Sequence, residues 1–282
     1  MDFSRISSSV DVEALQQKKV TVVGGVYNLI NDLVRCGIAS VALVDFDTVS
    51  VSNIARQDFN SNDVCRRKVE VAAERLRKTN PEVEVETHAV NYCALSMEEH
   101  DQLFGDSDLF IFGTDFFPAQ ARGNREATRL QKPELFIGLY KGGRASEIIF
   151  WYPGLTPACY RCICANRYKA FANGQTNISS EGGSIFDLRI ADGIAGQIAL
   201  GLLTHGADNR YGKLIDKLAN RNLLQTKIDP DYTLGGKDIF RNYLGNHPAN
   251  FSFTTIALPM ERELDCPDCS ALYEQPNENL KS

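Results

Sequence analysis

The sequence predicts an α/β protein, doubly wound, with a mainly parallel sheet. Three observations carry that expectation. Short apolar runs rich in Val, Ile and Phe alternate with helix-period segments through the first half of the chain. The stretch KKVTVVGGVYNLINDLVRCGIASVALVD, residues 18–45, has the order strand, glycines, helix, strand. At 282 residues and 43% hydrophobic content, the chain can bury a sizeable core.

Each element follows from its local pattern. Residues 20–23 read as the first strand, 26–35 as a helix and 41–45 as the second strand. Residues 64–79 read as a helix closed by Asn80-Pro81, because the residue before a proline is pushed out of the helical region. Residues 83–88 are the next strand, and the alternation continues through 108–112 and 135–139 with a helix between them. After SEIIFWYPG the texture changes, and residues 172–183, rich in Gly, Asn and Ser, read as a mobile loop. In the helical run DLRIADGIAGQIALGLL, Leu188, Ala191, Ile194, Ala195, Ile198 and Leu202 recur at core-packing spacing. The final NENLKS reads as disordered, and neither a repeat nor a low-complexity tract is visible.

Composition narrows the function. A net charge of −6 and a pI near 5.3 argue against a nucleic-acid or membrane-surface role, which calls for a basic excess. The first 19 residues lack an apolar h-region and no later run reaches the ~20 apolar residues of a membrane span, so a cytoplasmic protein is expected. Eight cysteines without an export signal, four of them in two C-x-x-C pairs, point to metal in a reducing compartment. Cys159, Cys162, Cys266 and Cys269 can close a tetrahedral S₄ site for Zn²⁺. With four thiolates and no open position its role is structural. It would pin the C-terminal segment across more than a hundred residues. Cys36, Cys65 and Cys93 read as core or surface thiols.

The nucleotide signals sit in the first half. Asp45 ends the second strand 21 positions after Gly24, near the ~20-residue interval at which an acidic residue meets a ribose hydroxyl. The usual third glycine is missing, and a βαβ unit that binds nothing remains an open alternative at this point. DFDTVSVSNIARQDF follows directly, with Ser52, Asn53, Arg56 and Gln57 where the loop would face phosphates and Lys68 one short segment later. A triphosphate carries extra charge that fixed cations such as Arg56 and Lys68 can meet. Asp115 ends the apolar strand of FIFGTD at the rim where doubly wound folds bind ligands, and a carboxylate there can hold Mg²⁺ between phosphates.

The order strand, Gly24-Gly25, LVDFDTVSVSNIARQ, a Lys at a helix head, GTD, PACYRC and DCPDC resembles the ThiF/MoeB/HesA superfamily of ubiquitin-activating-type adenylyltransferases, from about residue 15 to 269. The resemblance implies a Rossmann-like fold and an ATP site. Gly24 and Gly25 form its loop, Asp45 takes the ribose, and Ser52, Asn53, Arg56 and Gln57 are loop contacts. Lys68 takes phosphate and Asp115 takes Mg²⁺, with Arg56, Lys68 and Asp115 as the catalytic set. Asn124 matches an Asn that commonly follows on the next helix. Arg5 is similar to an N-terminal Arg that reaches into a neighbouring subunit's site, which implies a homodimer. In these terms residues 1–150 are a Rossmann-like ATP-binding part, 151–274 a zinc-binding, crossover-loop and C-terminal sheet part of the same domain, and 275–282 a disordered tail.

Two departures from the family pattern stand out. The loop VVGGVYNL is about three residues short of G-x-G-G-x-G-S, so Val26 and Tyr27 would crowd a phosphate, although main-chain N–H groups at the helix start could still receive one. Between Phe171 and Gly206 no Cys is present where thioester-forming members carry their nucleophile, and Cys164 is expected to pack beside the metal site. The expected function is therefore ATP-dependent adenylation, without an enzyme thioester, of the C-terminal carboxylate of a ubiquitin-like or sulfur-carrier protein or of a peptide. The alternative is a non-catalytic zinc-containing pseudo-enzyme or partner subunit with a decayed ATP loop. An NAD-dependent oxidoreductase would need a general acid/base that His88, His100, His205 and His247 do not nominate.

Overall fold

The computed structural model describes residues 1–175, 182–233, 239–246 and 252–273. In chain order, α1 (Val12–Leu15) leads into β1 (Lys19–Gly24), α2 (Tyr27–Arg35), β2 (Ser40–Val44), α3 (Val51–Ile54), α4 (Lys68–Thr79), β3 (Glu84–His88), α5 (Met97–Phe104), β4 (Leu109–Gly113), α6 (Phe117–Leu130), β5 (Glu134–Leu139) and β6 (Ala145–Trp151). The chain continues through α7 (Tyr160–Ile163), α8 (Ala165–Ala172), α9 (Ile185–Leu203), α10 (Leu214–Leu218), β7 (Leu223–Lys227), α11 (Ile239–Leu244) and β8 (Thr254–Leu258).

The strands form one sheet in the order β3-β2-β1-β4-β5-β6-β7-β8. From β3 to β5 neighbours run parallel, and from β5 to β8 they run antiparallel. The fold is thus doubly wound, Rossmann-like and mainly parallel, as expected. Strands covered on both faces must be apolar throughout, and LFIFG of β4 is buried over its first four residues. Alternate residues of β1 feed two cores. Val20 and Val22 pack with Leu29 and Leu33 of α2, Leu76 of α4 and Ile198 of α9, whereas Val23 packs with Phe110, Phe112, Phe117 and Tyr160 on the other face. Because β2 and β4 flank β1 on opposite sides, the chain reverses direction there, and a crevice opens beyond the C-terminal ends of β1 and β4, where Gly24 is paired with Gly113.

One expectation is corrected. The helix expected from residue 64 begins at Lys68, preceded by a 3₁₀ turn at Ser61–Asp63. Cys65 has φ +69°, a left-handed conformation that a continuous helix cannot contain, and Arg67 instead bridges to Thr48. The antiparallel strands β7 and β8 were not read from the sequence. LLQTK and TTIAL are short, and their burial comes from pairing with each other and with β6. The sheet also runs unbroken through residue 150, inside β6. Residues 176–181 of the loop expected at 172–183, and the tail expected at 275–282, lie outside the described residues. Among the described residues, no helix is long and apolar enough to cross a membrane.

Candidate functional site

A cleft of about 810 Å³ lies at the switch point. Its floor is the Gly24-Gly25 turn. Gly24 has φ +93°, and a Cβ there would come within 3.0 Å of the Gly113 backbone, so only glycine fits. A Cβ on Gly25 would lie 2.4 Å from Gln57 Nε2. The shortened loop settles by packing Val26 over Gly113, where a Cβ would meet a Val26 methyl at 2.1 Å. Tyr27 turns away from the cleft, edge-on to Phe59 at 5.6 Å, and its hydroxyl donates to Asp45 Oδ2 at 2.9 Å.

Asp45 stands just past the end of β2, and its Oδ1 accepts the Asp47 N–H at 2.9 Å. Burial pushes its carboxyl above the usual range, opposed by the Asp47 N–H, Lys68 and the Tyr27 hydroxyl. Lys68, the first residue of α4 and 7% exposed, places Nζ 2.8 Å from Asp47 Oδ2. Asn53, Arg56 and Gln57 come in from the α3 turn. Across the cleft Asp115 lies in the turn between β4 and α6, held on one side by the Thr114 hydroxyl, which accepts the Phe116 N–H at 3.1 Å.

The structure therefore brings Gly24, Gly25, Asp45, Asn53, Arg56, Gln57, Lys68 and Asp115 to one cleft. Ser52 is not among its lining. It is exposed, its hydroxyl 2.9 Å from that of Ser50, because a one-turn helix cannot aim both Ser52 and Asn53 the same way. Asn124 is fully buried away from the cleft and donates to Asp268 Oδ2 at 2.7 Å. Arg5 is exposed in the N-terminal turns.

Sequence reading missed the opposite wall. Glu147 on β6 accepts from the Tyr140 hydroxyl at 2.6 Å and pairs with Arg167 of α8 at 2.6 Å. Burial opposes the Arg167 charge, but Glu147 together with Cys164 and Tyr160 holds the guanidinium pKa above its usual value. Asp192 of α9, 7% exposed, also lines the cleft. Burial pushes its carboxyl up to about 7, with Arg189 opposing and Asp32 adding to the effect. An acidic residue beside Ala191 in an otherwise apolar helical phase was the available signal. Asn28, 6% exposed, presents to the same cleft an Oδ1 that has no hydrogen-bond partner among the described residues.

The four cysteines meet behind β6. Cys159 Sγ lies 3.8 Å from Cys162 Sγ and 3.7 Å from Cys266 Sγ, and Cys162 Sγ lies 3.6 Å from Cys269 Sγ. All four are buried, with their sulfurs within 4.8 Å of one another. A ZnS₄ tetrahedron with Zn–S near 2.3 Å has S···S edges of about 3.8 Å, so the donor set fits Zn²⁺ and is too wide for disulfides. Cys164 is buried in the neighbouring aromatic core, which raises its pKa to about 12. A second cluster, His100, Asp101 and Glu126, also has ligand-type atoms within 4.8 Å, but Arg129 engages both carboxylates and accounts for it as an ion-pair network.

Fold and site together define a doubly wound α/β protein with a polar cleft at its switch point and a four-cysteine centre. The chain belongs to the ThiF family, whose profile matches residues 1–225. It is 34% identical over 160 residues to the sulfur carrier protein adenylyltransferase of Thermus thermophilus, covering 54% of this chain and 57% of that one. It is 29% identical over 176 residues to ubiquitin-like modifier-activating enzyme 5 of Caenorhabditis briggsae, covering 58% of this chain and 40% of the relative. These alignments thus span about half the length of the curated relatives. Among solved structures, E. coli MccB with ATP superposes with a TM-score of 0.66 at 18% identity over 92% of this chain and 68% of that one. PaaA superposes with a TM-score of 0.61 at 18% identity, over 83% and 82%. At such identities the likeness shows the fold.

Proposed function

We propose that this chain is an ATP-dependent adenylyltransferase that activates a carboxylate as an acyl-adenylate. The observation that carries the reading is the convergence of Gly24, Gly25, Asp45, Asn53, Arg56, Gln57, Lys68 and Asp115 on one switch-point cleft. The acceptor carboxylate attacks the α-phosphorus of ATP, the α–β phosphoanhydride bond breaks, and pyrophosphate leaves with the electron pair. Asp45 accepts from the ribose hydroxyls, and the main chain at Gly24-Gly25 admits the phosphates closely. Arg56 and Lys68 neutralise the β and γ phosphates as charge moves onto the leaving group. Asp115 offers a carboxylate to Mg²⁺, which when bound supplies charge neutralisation between phosphates. Orientation and charge compensation supply most of the rate.

Support for the acceptor class comes from the relatives, whose names specify a sulfur carrier protein and a ubiquitin-like modifier. The reading is thus of a ubiquitin-activating-like enzyme acting on a ubiquitin-like or sulfur-carrier protein or a peptide, working as a cytoplasmic homodimer. The reading involves no enzyme thioester, because no Cys stands between Phe171 and Gly206 and Cys164 is buried. Zn²⁺ held by the four cysteines is structural.

The crowding of the glycine turn by Val26 favours a second reading, a non-catalytic subunit with a decayed ATP loop. Calorimetric titration with Mg-ATP separates the two. Adenylation requires binding that weakens at least tenfold in both Lys68→Ala and Asp115→Ala, followed by acceptor-dependent pyrophosphate exchange. A folded wild-type protein that binds no Mg-ATP supports the second reading.

A further inference from the structure

We propose that Tyr160 and Gln120 are positioning residues that brace the Asp115 loop against the four-cysteine centre. Tyr160 lies between Cys159 and Cys162, so the metal pair fixes its backbone. Its ring is 1% exposed and stacks on Phe136 with centroids 4.0 Å apart. The hydroxyl donates to Gln120 Oε1 at 2.6 Å, and Gln120 Nε2 donates to the Thr114 carbonyl at 2.7 Å. Thr114 immediately precedes Asp115, and Gln120 itself lines the cleft. A run of short bonds between buried groups has one low-energy arrangement, so it transmits position.

The other cysteine pair does the same one turn later. Asp268, between Cys266 and Cys269, accepts from Asn124 Nδ2 at 2.7 Å and from Arg161 of the first pair at 3.2 Å. Gln120 and Asn124 are four residues apart on α6 and share a face. Each is held by the residue inside one C-x-x-C pair, so both pairs grip the helix that leads out of the Asp115 turn. Asn124, which matches an Asn that commonly follows on the next helix in the family, here anchors the metal centre to that helix. The centre then does more than pin the C-terminal segment: it sets where Asp115 stands.

The test uses hydrogen exchange and nucleotide binding in the zinc-loaded full chain, with Tyr160→Phe, which keeps the ring stack, and Gln120→Met. Bracing predicts that amides of residues 114–117 exchange about tenfold faster in each variant while those of β1 and the zinc content, read with a chromogenic chelator, do not change. Unchanged exchange at 114–117 overturns the proposal, as does acceleration spread evenly over the sheet. The consequence for binding rests on the adenylation reading. Half-maximal ATP binding should need several-fold more Mn²⁺ in Tyr160→Phe, with no added effect in an Asp115→Ala background. If the wild type binds no nucleotide, the adenylation reading fails, and hydrogen exchange still decides the brace.

Discussion

Asp192→Asn should abolish a pH dependence that the fold builds into α9. Asp192 is 7% exposed, and burial lifts its carboxyl from the model-compound 3.8 to about 7, against Arg189 and with Asp32. Arg189 is itself drawn 3.8 Å from Asp32, on the outer face of the α2–α9 contact. Between about pH 4 and 7 the folded state therefore holds a proton that the unfolded chain has already released. A raised carboxyl pKa contributes stability that is full below the unfolded value and is lost as pH rises through the folded one. Between pH 5 and pH 8 that loss is about 3 kcal/mol, most of it below pH 7 at 1.36 kcal/mol per pH unit. Asn keeps the shape and cannot ionise, so the variant should be flat in this component and gain on the wild type at pH 8. Urea melts of both proteins at pH 5, 6, 7 and 8 read the difference. Parallel stability profiles for the two proteins would refute the reasoning and show that Asp192 ionises in the folded cleft without penalty.

Three further outcomes follow from the geometry. Tyr27→Phe removes the hydroxyl donor to Asp45 while keeping the contact with Phe59, and should cost about 1–2 kcal/mol in chemical denaturation. Gly24→Ala meets both a φ of +93° and the Gly113 backbone at 3.0 Å, and should cost about 1–3 kcal/mol, whereas Gly25→Ala meets only the movable end of Gln57 and should cost less. Cys269→Ser should reduce bound zinc from one per chain to a weakly held fraction. It should also lower the melting temperature by on the order of 10 °C, since a structural zinc is worth several kcal/mol at roughly 2–4 °C each.

What the sequence determined by itself is what depends on neighbours within a few residues. Apolar runs placed β1, β2 and β4, because a strand buried on both faces has no polar face to show. The Gly24-Gly25 pair, Asp45 at a strand end, and cysteines three apart are legible for the same reason: turn, strand end and ligand spacing are local geometry. The limit of that logic shows at residue 64, where helical periodicity continues through Cys65 but the chain breaks it with a left-handed residue and starts α4 at Lys68. The tertiary structure alone decided which residues meet across long separations. It joined β7 to β6, set Glu147 against Arg167 on the far wall, sent Ser52 outward and turned Tyr27 onto Asp45. Those contacts follow from which surfaces the sheet can bury together, a property of the whole chain that no window of residues contains.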